Sequence, residues 1–413
     1  MIKYFSIENF CSVKKKTEIS FEASKIEDDT SYNNYFRYKD CNIHKVFAFY
    51  GMNASGKTSI VKAFAALQEL VAPAPVLPYY PFEFDPKSKI SPIKISIEFA
   101  LDNKDESPAY RYYVSYNNQF VLEEKLEKMT SQKPSLLYER TFENGLINIK
   151  LGPIAQNSAF LEEMKKTVLP NLTFLSMFNR FNVEGFSDAY TFFTKRLVNI
   201  SPEVTRYDDI IPTNRIMIDH DFRRFAVNLL KAADFNIENV IVGKTQMPVR
   251  NPGFQGIRTE RDTLFFIHKG GDTGGSIEFL KESLGTKKIT ILAEHLYPVL
   301  SQSSVLIVDE LESSLHPELT RLIVKCFLDE TINPHNSQLI FTSHETSLLD
   351  LNLLRRDEIN FVYKDEQACY TYVRSLKDFH ARKTENVEKS YLAGRYMTSP
   401  EIKDYLLSDG GAN

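Results

Sequence analysis

Hydrophobic positions fall along the chain in three kinds of pattern, and each predicts an element. At the N-terminus they recur as in strands: Ile2, Tyr4 and Ile7 set one, and Ile19 with Phe21 another, either side of the basic run Lys14-Lys15-Lys16. The polar stretch 24–43 predicts a loop. Val46-Phe47-Ala48-Phe49-Tyr50 is continuously apolar, as a strand buried on both faces requires. Ile60, Val61, Phe64, Leu67 and Leu70 then follow at helical spacing, and Pro73, Pro75, Pro78 and Pro81 turn the helix into a stiff connector. Alternation returns at Ile93-Ile95-Ile97-Phe99 and in 110–116, 120–126, 136–142 and 146–151, with Asn117-Asn118 and Asn144-Gly145 as turns. That predicts an inserted antiparallel β-lobe. From about 155 to 235 the pattern is helical, with Phe222, Phe225, Ala226, Leu229, Leu230 and Ala233 on one face. A strand at Thr263–His268, a loop from Gly270 to Gly275, and helices alternating with strands to about 364 predict a parallel sheet covered by helices. There is no internal repeat and no sustained heptad.

Gly51-Met52-Asn53-Ala54-Ser55-Gly56-Lys57-Thr58 fits G-x-x-x-x-G-K-[ST], with a buried strand before it and an amphipathic helix after it. Glycines let the backbone wrap so that its N–H groups point at phosphate oxygens, and the helix adds its positive end. A merely structural strand–helix turn needs neither Lys nor Thr there. Gly51, Asn53, Ala54, Ser55, Gly56, Lys57, Thr58 and Ser59 are therefore the candidate nucleotide-binding residues. Lys57 is expected on the β- and γ-phosphates, and Thr58 on Mg²⁺. Val305-Leu306-Ile307-Val308 ends in Asp309-Glu310, a buried strand that delivers two carboxylates. Beside a P-loop, Asp309 is expected to hold the metal and Glu310 to polarise the attacking water.

Composition narrows the class only a little. With 413 residues, 43% hydrophobic and 25% charged, the chain has the balance of an ordinary globular protein. No apolar run approaches the ~18–20 residues of a membrane span, and the first residues lack a signal-peptide layout. Cys11, Cys41, Cys326 and Cys369 are scattered without a C-x-x-C, which argues against a zinc or disulfide framework and for the reducing cytoplasm. At a net charge of −4, any DNA contact has to come from a local patch.

The order of the remaining motifs decides the class. Glu282-Ser283-Leu284-Gly285-Thr286-Lys287-Lys288 opens a helix about two dozen residues before the acidic strand. Leu311-Glu312-Ser313-Ser314-Leu315-His316-Pro317 follows the acids, and Gln338-Leu339-Ile340-Phe341-Thr342-Ser343-His344 ends a later strand. This series resembles the ATP-binding head of the ABC superfamily, in its RecF/SMC-like branch. The resemblance implies an α/β P-loop fold, with a mainly parallel helix-covered sheet, an inserted antiparallel β-lobe and a helical lobe. It divides the chain into 1–80 and 261–364 as two parts of the ATPase core, 81–152 as β-lobe, 153–260 as helical lobe and 365–413 as a C-terminal polar segment. It also implies two heads meeting around ATP and Mg²⁺. Ser283 and Gly285 would then cap the γ-phosphate of the partner head, His344 would help place the water, and Ser314-Leu315-His316 would link the two sites.

Further segments, among them Leu172–Asn182 (LTFLSMFNRFN), Leu354–Lys364 (LRRDEINFVYK) and Tyr391–Tyr396 (YLAGRY), are similar to the bacterial RloA/AbiLi-type proteins related to OLD. That likeness implies anti-phage or abortive-infection defence beside a separately encoded effector, commonly a nuclease. The chain departs from the RecF/SMC pattern at Asn9-Phe10-Cys11-Ser12, where Cys11 replaces a basic residue, with Lys14–Lys16 nearby to compensate. No coupling glutamine is assignable: Gln132 and Gln156 are the candidates, and neither sits in a matching context. Asp219-His220-Asp221 reads as a helix start rather than a nuclease D-x-D, Arg374 with His380 lacks a ribonuclease context, and Asn103-Lys104-Asp105-Glu106 lacks the last residue of a guanine reader. The competing expectations are a RecF-like repair ATPase that binds DNA directly and an ATP-gated scaffold that scarcely hydrolyses. A transporter subunit fits least, because the signature is not L-S-G-G-Q.

Overall fold

The computed structural model describes the chain apart from residues 73–75, 131–132, 154, 156–157, 180, 182, 201–212, 234–235, 249–257, 271–274, 314, 366, 368 and 397–413. Pro73, Pro75, Gln132, Gln156, Ser314 and part of the Gly270–Gly275 loop thus lie outside the described residues. The chain opens with β1 (Ile2–Glu8) and β2 (Thr17–Ser20), a small hairpin of β3 (Tyr35–Tyr38) and β4 (Cys41–His44), then β5 (Val46–Tyr50) and α1 (Lys57–Val71). After α2 (Pro86–Ile90) come β6 (Ile93–Ala100), β7 (Ala109–Tyr116), β8 (Val121–Met129), β9 (Ser135–Glu143) and β10 (Leu146–Leu151). These last five continue β1 and β2 into one seven-stranded antiparallel sheet, ordered β10-β9-β8-β7-β6-β1-β2. The β-lobe is therefore an extension of the N-terminal hairpin, joined through the β1–β6 register Phe5↔Ile97 and Ile7↔Ile95.

Short helices α3 (Ala159–Lys165) and α4 (Phe186–Thr191) lead to β11 (Leu197–Ile200), α5 (Thr213–Ile218) and α6 (His220–Ala232). The second large sheet is completed by elements later in the chain. Before it comes a three-stranded antiparallel sheet of β12 (Ile237–Pro248), β13 (Arg258–His268) and β14 (Gly275–Glu278). The remaining elements are α7 (Leu284–Leu300), β15 (Val305–Val308), α8 (Pro317–Leu328), β16 (Gln338–Ser343), β17 (Ile359–Lys364), β18 (Thr371–Ser375) and α9 (Val387–Leu392). The second large sheet is six-stranded, ordered β11-β15-β16-β5-β17-β18, and every pairing in it is parallel except β17–β18.

Alternation along these buried strands sorts side chains into two cores. Phe47, Phe49, Val305, Ile307 and Ile340 pack with α1 and the antiparallel sheet, and Phe5 stacks on Phe64 with ring centroids 3.9 Å apart. Val46, Ala48, Tyr50, Leu306, Val308 and Phe341 pack with α6, α7 and α8 on the other face. Helix α1 is thus held between two sheets, which fixes the loop that precedes it.

Four differences from the sequence reading have physical reasons. The 24–43 loop contains β3 and reaches β4, whose Phe36, Tyr38 and Ile43 cluster with Met1 and Ala100; two four-residue strands give too short a pattern to detect. Within the expected helical lobe 153–260 lie β12 and the start of β13. Their distal half is exposed on Lys244, Gln246, Glu260, Arg261 and Asp262, so it shows no apolar alternation. The strand expected at Thr263–His268 is the inner end of that longer β13. The polar segment after residue 364 supplies β18 to the core sheet, and buried Tyr391 and Tyr396 stack on Phe361.

Candidate nucleotide-binding site

Strand β5 ends in a loop whose backbone only small residues permit. A Cβ on Gly51 would stand 2.1 Å from the Val362 carbonyl oxygen of β17. Gly56 has φ +107°, and a Cβ there would meet Thr371 Oγ1 at 2.1 Å and Ser12 Oγ at 2.5 Å. Ala54 is also left-handed, at φ +61°. The result is a tight wrap ending at α1, whose N-terminus carries no side-chain cap. An uncapped, positive helix end behind such a loop is an anion site in waiting.

Lys57 lies over this loop and is only 6% exposed. Its Nζ donates to the Gly51 carbonyl at 2.7 Å and the Met52 carbonyl at 3.1 Å. Burial lowers its pKa to about 8, against the pull of Asp309, Glu312 and Glu310. Ser55 Oγ is buried without a protein hydrogen-bond partner, and an acceptor such as a phosphate oxygen would satisfy it. Asn53 is exposed and Thr58 half-buried at the mouth of the loop. Ser59 turns the other way: its Oγ shares a 2.8 Å hydrogen bond with Ser12 Oγ. Thr371 closes the back of the loop, 2.8 Å from the Ser55 carbonyl oxygen and 2.7 Å from Ser12 Oγ.

Strands β15 and β16 bring the acids to the same edge, because β16 lies between β15 and β5 in parallel register. Asp309 is 6% exposed, and its Oδ1 accepts from Thr342 Oγ1 at 2.6 Å. That hydroxyl in turn accepts the Glu310 N–H at 2.8 Å. Glu310 sits at φ +52°, a left-handed conformation that a non-glycine residue adopts at a cost, and its side chain is exposed. His344 directly follows β16, and its backbone N–H donates to Glu312 Oε1 at 2.6 Å. Partial burial and then Lys57 hold the His344 imidazole below its ordinary pKa. That shift favours the neutral imidazole.

Ser283 and Gly285 occupy the start of α7. Ser283 is its N-cap, accepting the Thr286 N–H at 3.1 Å, and its Oγ also lies 2.8 Å from Thr286 Oγ1. Among the described residues no hydrogen bond joins either of them to the P-loop of the same chain. One turn further on, burial lowers the Lys288 pKa to about 8, against the opposing charges of Glu312 and Glu310. Asp219 caps α6 through the Phe222 N–H, and His380 is the left-handed residue after a single 3₁₀ turn, so neither belongs to this site. Sequence reasoning singled out neither Thr342, Glu312 and Lys288 nor Ser12 and Thr371. The first three and Ser12 stand inside its quoted motifs, whereas Thr371 carries no local signal.

The donor set suits a magnesium nucleotide: one hydroxyl at Thr58, one buried carboxylate at Asp309, and phosphate oxygens to complete the shell. Among the described residues no group of three or more His, Cys, Asp or Glu side chains is placed to hold a metal by itself. No described helix is long and apolar enough to cross a membrane.

A family model described as "AAA domain, putative AbiEii toxin, Type IV TA system" matches residues 46–350. No curated protein matches the chain. Among solved structures, an SMC head bound to the C-winged helix domain of ScpA is 14% identical, with 91% of this chain and 97% of that chain covered and a TM-score of 0.45. The SMC head domain from Thermotoga maritima gives 13%, 91% and 98%, and 0.43. The ABC-transporter component cbiO1 from Clostridium perfringens gives 13%, 90% and 98%, and 0.31.

Proposed function

The chain belongs to the AAA-domain family of AbiEii type, and from that premise we propose that it hydrolyses ATP between two heads and uses the change to gate an effector. The observation that carries the reading is the convergence of Lys57, the Asp309–Thr342–Glu310 relay and His344 on the ends of three adjacent parallel strands. Ligands of open α/β sheets bind at that edge.

In this reading Gly51 to Gly56 and the α1 N-terminus cradle the phosphates. Lys57 releases the Gly51 and Met52 carbonyls and moves its three donors onto the β- and γ-phosphates. Thr58 and Asp309 would hold Mg²⁺, which when bound would neutralise phosphate charge. Thr342 orients Asp309 through its hydroxyl. Glu310 accepts the proton of the attacking water, and neutral His344 steadies that water or the γ-phosphate. Ser283 and Gly285, at the start of α7, cap the nucleotide of a second copy. The output is a two-state element biased by the γ-phosphate. The AbiEii description and the likeness to RloA/AbiLi-type proteins support an anti-phage setting with a separately encoded effector, such as a nuclease.

The test follows phosphate release and mass by light scattering, with ATP and Mg²⁺, for wild type beside Glu310→Gln. Turnover in the wild type and an ATP-locked dimer in the variant are expected, with no effect of added DNA. Firm ATP binding without turnover would refute hydrolysis, and turnover that rises with DNA would replace effector gating by a repair role.

A further inference from the structure

The residues just before Ser283 are tied to a neighbouring sheet more firmly than a helix start requires. Strand β14 pairs with the inner end of β13 through Phe265↔Glu278, Phe266↔Ile277, Ile267↔Ser276 and His268↔Gly275. A single 3₁₀ turn, Phe279–Lys281, then leads to Glu282 and the Ser283 cap. Phe279 is fully buried and stacks on Phe266 of β13 at 6.2 Å. His268, the last residue of β13, places Nε2 2.6 Å from Glu282 Oε1. The Glu282 side chain is only 5% exposed, so this carboxylate has been taken out of water on the strength of that partner. Lys287 Nζ donates to the Leu280 carbonyl at 2.7 Å and ties the first turn of α7 back to the same segment.

We propose that His268 is a positioning residue for ATP turnover: through Glu282 it fixes where Ser283 stands, and it couples the β12–β13 hairpin to the composite ATP site. The hairpin fits this part. Its inner half is anchored by buried Val240, Leu264 and Phe266 in the core shared with α6 and α7. Its outer strands, Gly243–Pro248 and Arg258–Thr263, pair with each other. A force applied to that outer ribbon reaches Ser283 through the β13–β14 ladder and two side-chain contacts, the Phe266–Phe279 stack and the His268–Glu282 hydrogen bond. The stack is apolar and tolerates sliding, whereas the hydrogen bond is directional and holds a capping hydroxyl to a fraction of an ångström. The inference rests on the reading that Ser283 caps the nucleotide of a second copy, and its test keeps the two apart.

Full-length wild type, His268→Ala, His268→Gln and Ser283→Ala would be compared for ATP turnover. ATP affinity of each single head would be measured with a fluorescent ATP analogue, and the ATP-locked dimer in the Glu310→Gln background. His268→Ala is expected to lower kcat by about tenfold or more, the usual penalty for a displaced catalytic partner, with KM for ATP unchanged. It should weaken the locked dimer while leaving single-head ATP affinity alone. His268→Gln keeps an N–H donor for Glu282 and should recover most of the turnover. A purely structural histidine would instead lower the melting temperature of both variants and leave kcat of the folded protein untouched; that result overturns the proposal. If Ser283→Ala cripples turnover and His268→Ala does not, the coupling is wrong and the composite site stands. If Ser283→Ala turns over normally, the composite site fails and this inference with it.

Discussion

Lys57 gives the most direct link between the geometry and a measurable number. Burial lowers its pKa to about 8 from an ordinary 10.5, and the three nearby carboxylates only partly offset that. Phosphate groups at the loop would favour the charged amine and raise the pKa again. Binding therefore takes up a proton wherever the free protein has lost one, and affinity must fall as pH rises through about 8. If phosphates restore the ordinary value, affinity falls close to tenfold for each pH unit above 8, so it drops about tenfold between pH 7 and 9. The ceiling, reached near pH 10.5, is about 300-fold. The same sign holds for folding. Protonated Lys57 opposes the folded state below about pH 8, and that penalty is relieved as pH rises from 8 towards 10.5.

Isothermal titration at pH 8.5 in two buffers of different ionisation enthalpy reads the proton uptake directly. Most of one proton per ATP is expected. Lys57→Arg keeps its charge throughout this range and should bind with little pH dependence. Lys288 has a pKa near the same value, so Lys288→Gln is the needed control and should leave the linkage in place. Affinity that stays level from pH 7 to 9 in the wild type would refute the argument, as would a linkage that survives Lys57→Arg.

Two further substitutions test the scaffold. Gly56→Ala would push a Cβ within 2.1 Å of Thr371 Oγ1 at φ +107°, a penalty of about 3 kcal/mol, so ATP affinity should fall about a hundredfold while the circular dichroism spectrum is kept. Glu124, fully buried in β8, accepts from Tyr112 Oη (3.0 Å), Tyr138 Oη (2.5 Å), the Phe174 N–H (2.6 Å) and the Leu175 N–H (3.1 Å). Glu124→Ala strands all four donors and should cost about 3–5 kcal/mol in urea unfolding, with ATP affinity of the folded protein unchanged.

What the sequence made legible was local. The P-loop is eight consecutive residues between a strand and a helix, and its conformation is dictated by Gly51, Ala54 and Gly56 at first sight of the motif. β7 to β10 were equally plain, because alternation over six to nine residues with Asn turns leaves little choice. What stayed hidden is held together by contacts far apart in the chain. Glu310 and Thr342 are separated by 32 residues, and Ser12 and Thr371 by 359. No periodicity reports such a pair. The β12–β13 hairpin escaped for a different reason, since a ribbon exposed on both faces has no apolar stripe to read.

This division between local and distant has a consequence for how the site is built. The family match covers 46–350, which includes the P-loop, the acids and His344. The back wall of the P-loop comes from outside that span, from Ser12 after β1 and from Thr371 at the start of β18. Ser12 also accepts the Thr371 N–H through its carbonyl oxygen at 2.9 Å, so the two flanks of the chain are joined to each other behind Gly56. Thr371 is 1% exposed, and the space it fills is the space a Cβ on Gly56 would need. Glycine at position 56 is therefore demanded twice, by its own left-handed backbone and by a threonine 315 residues away. A motif that looks self-sufficient in the sequence takes its working shape from the turn after β1 and from β18.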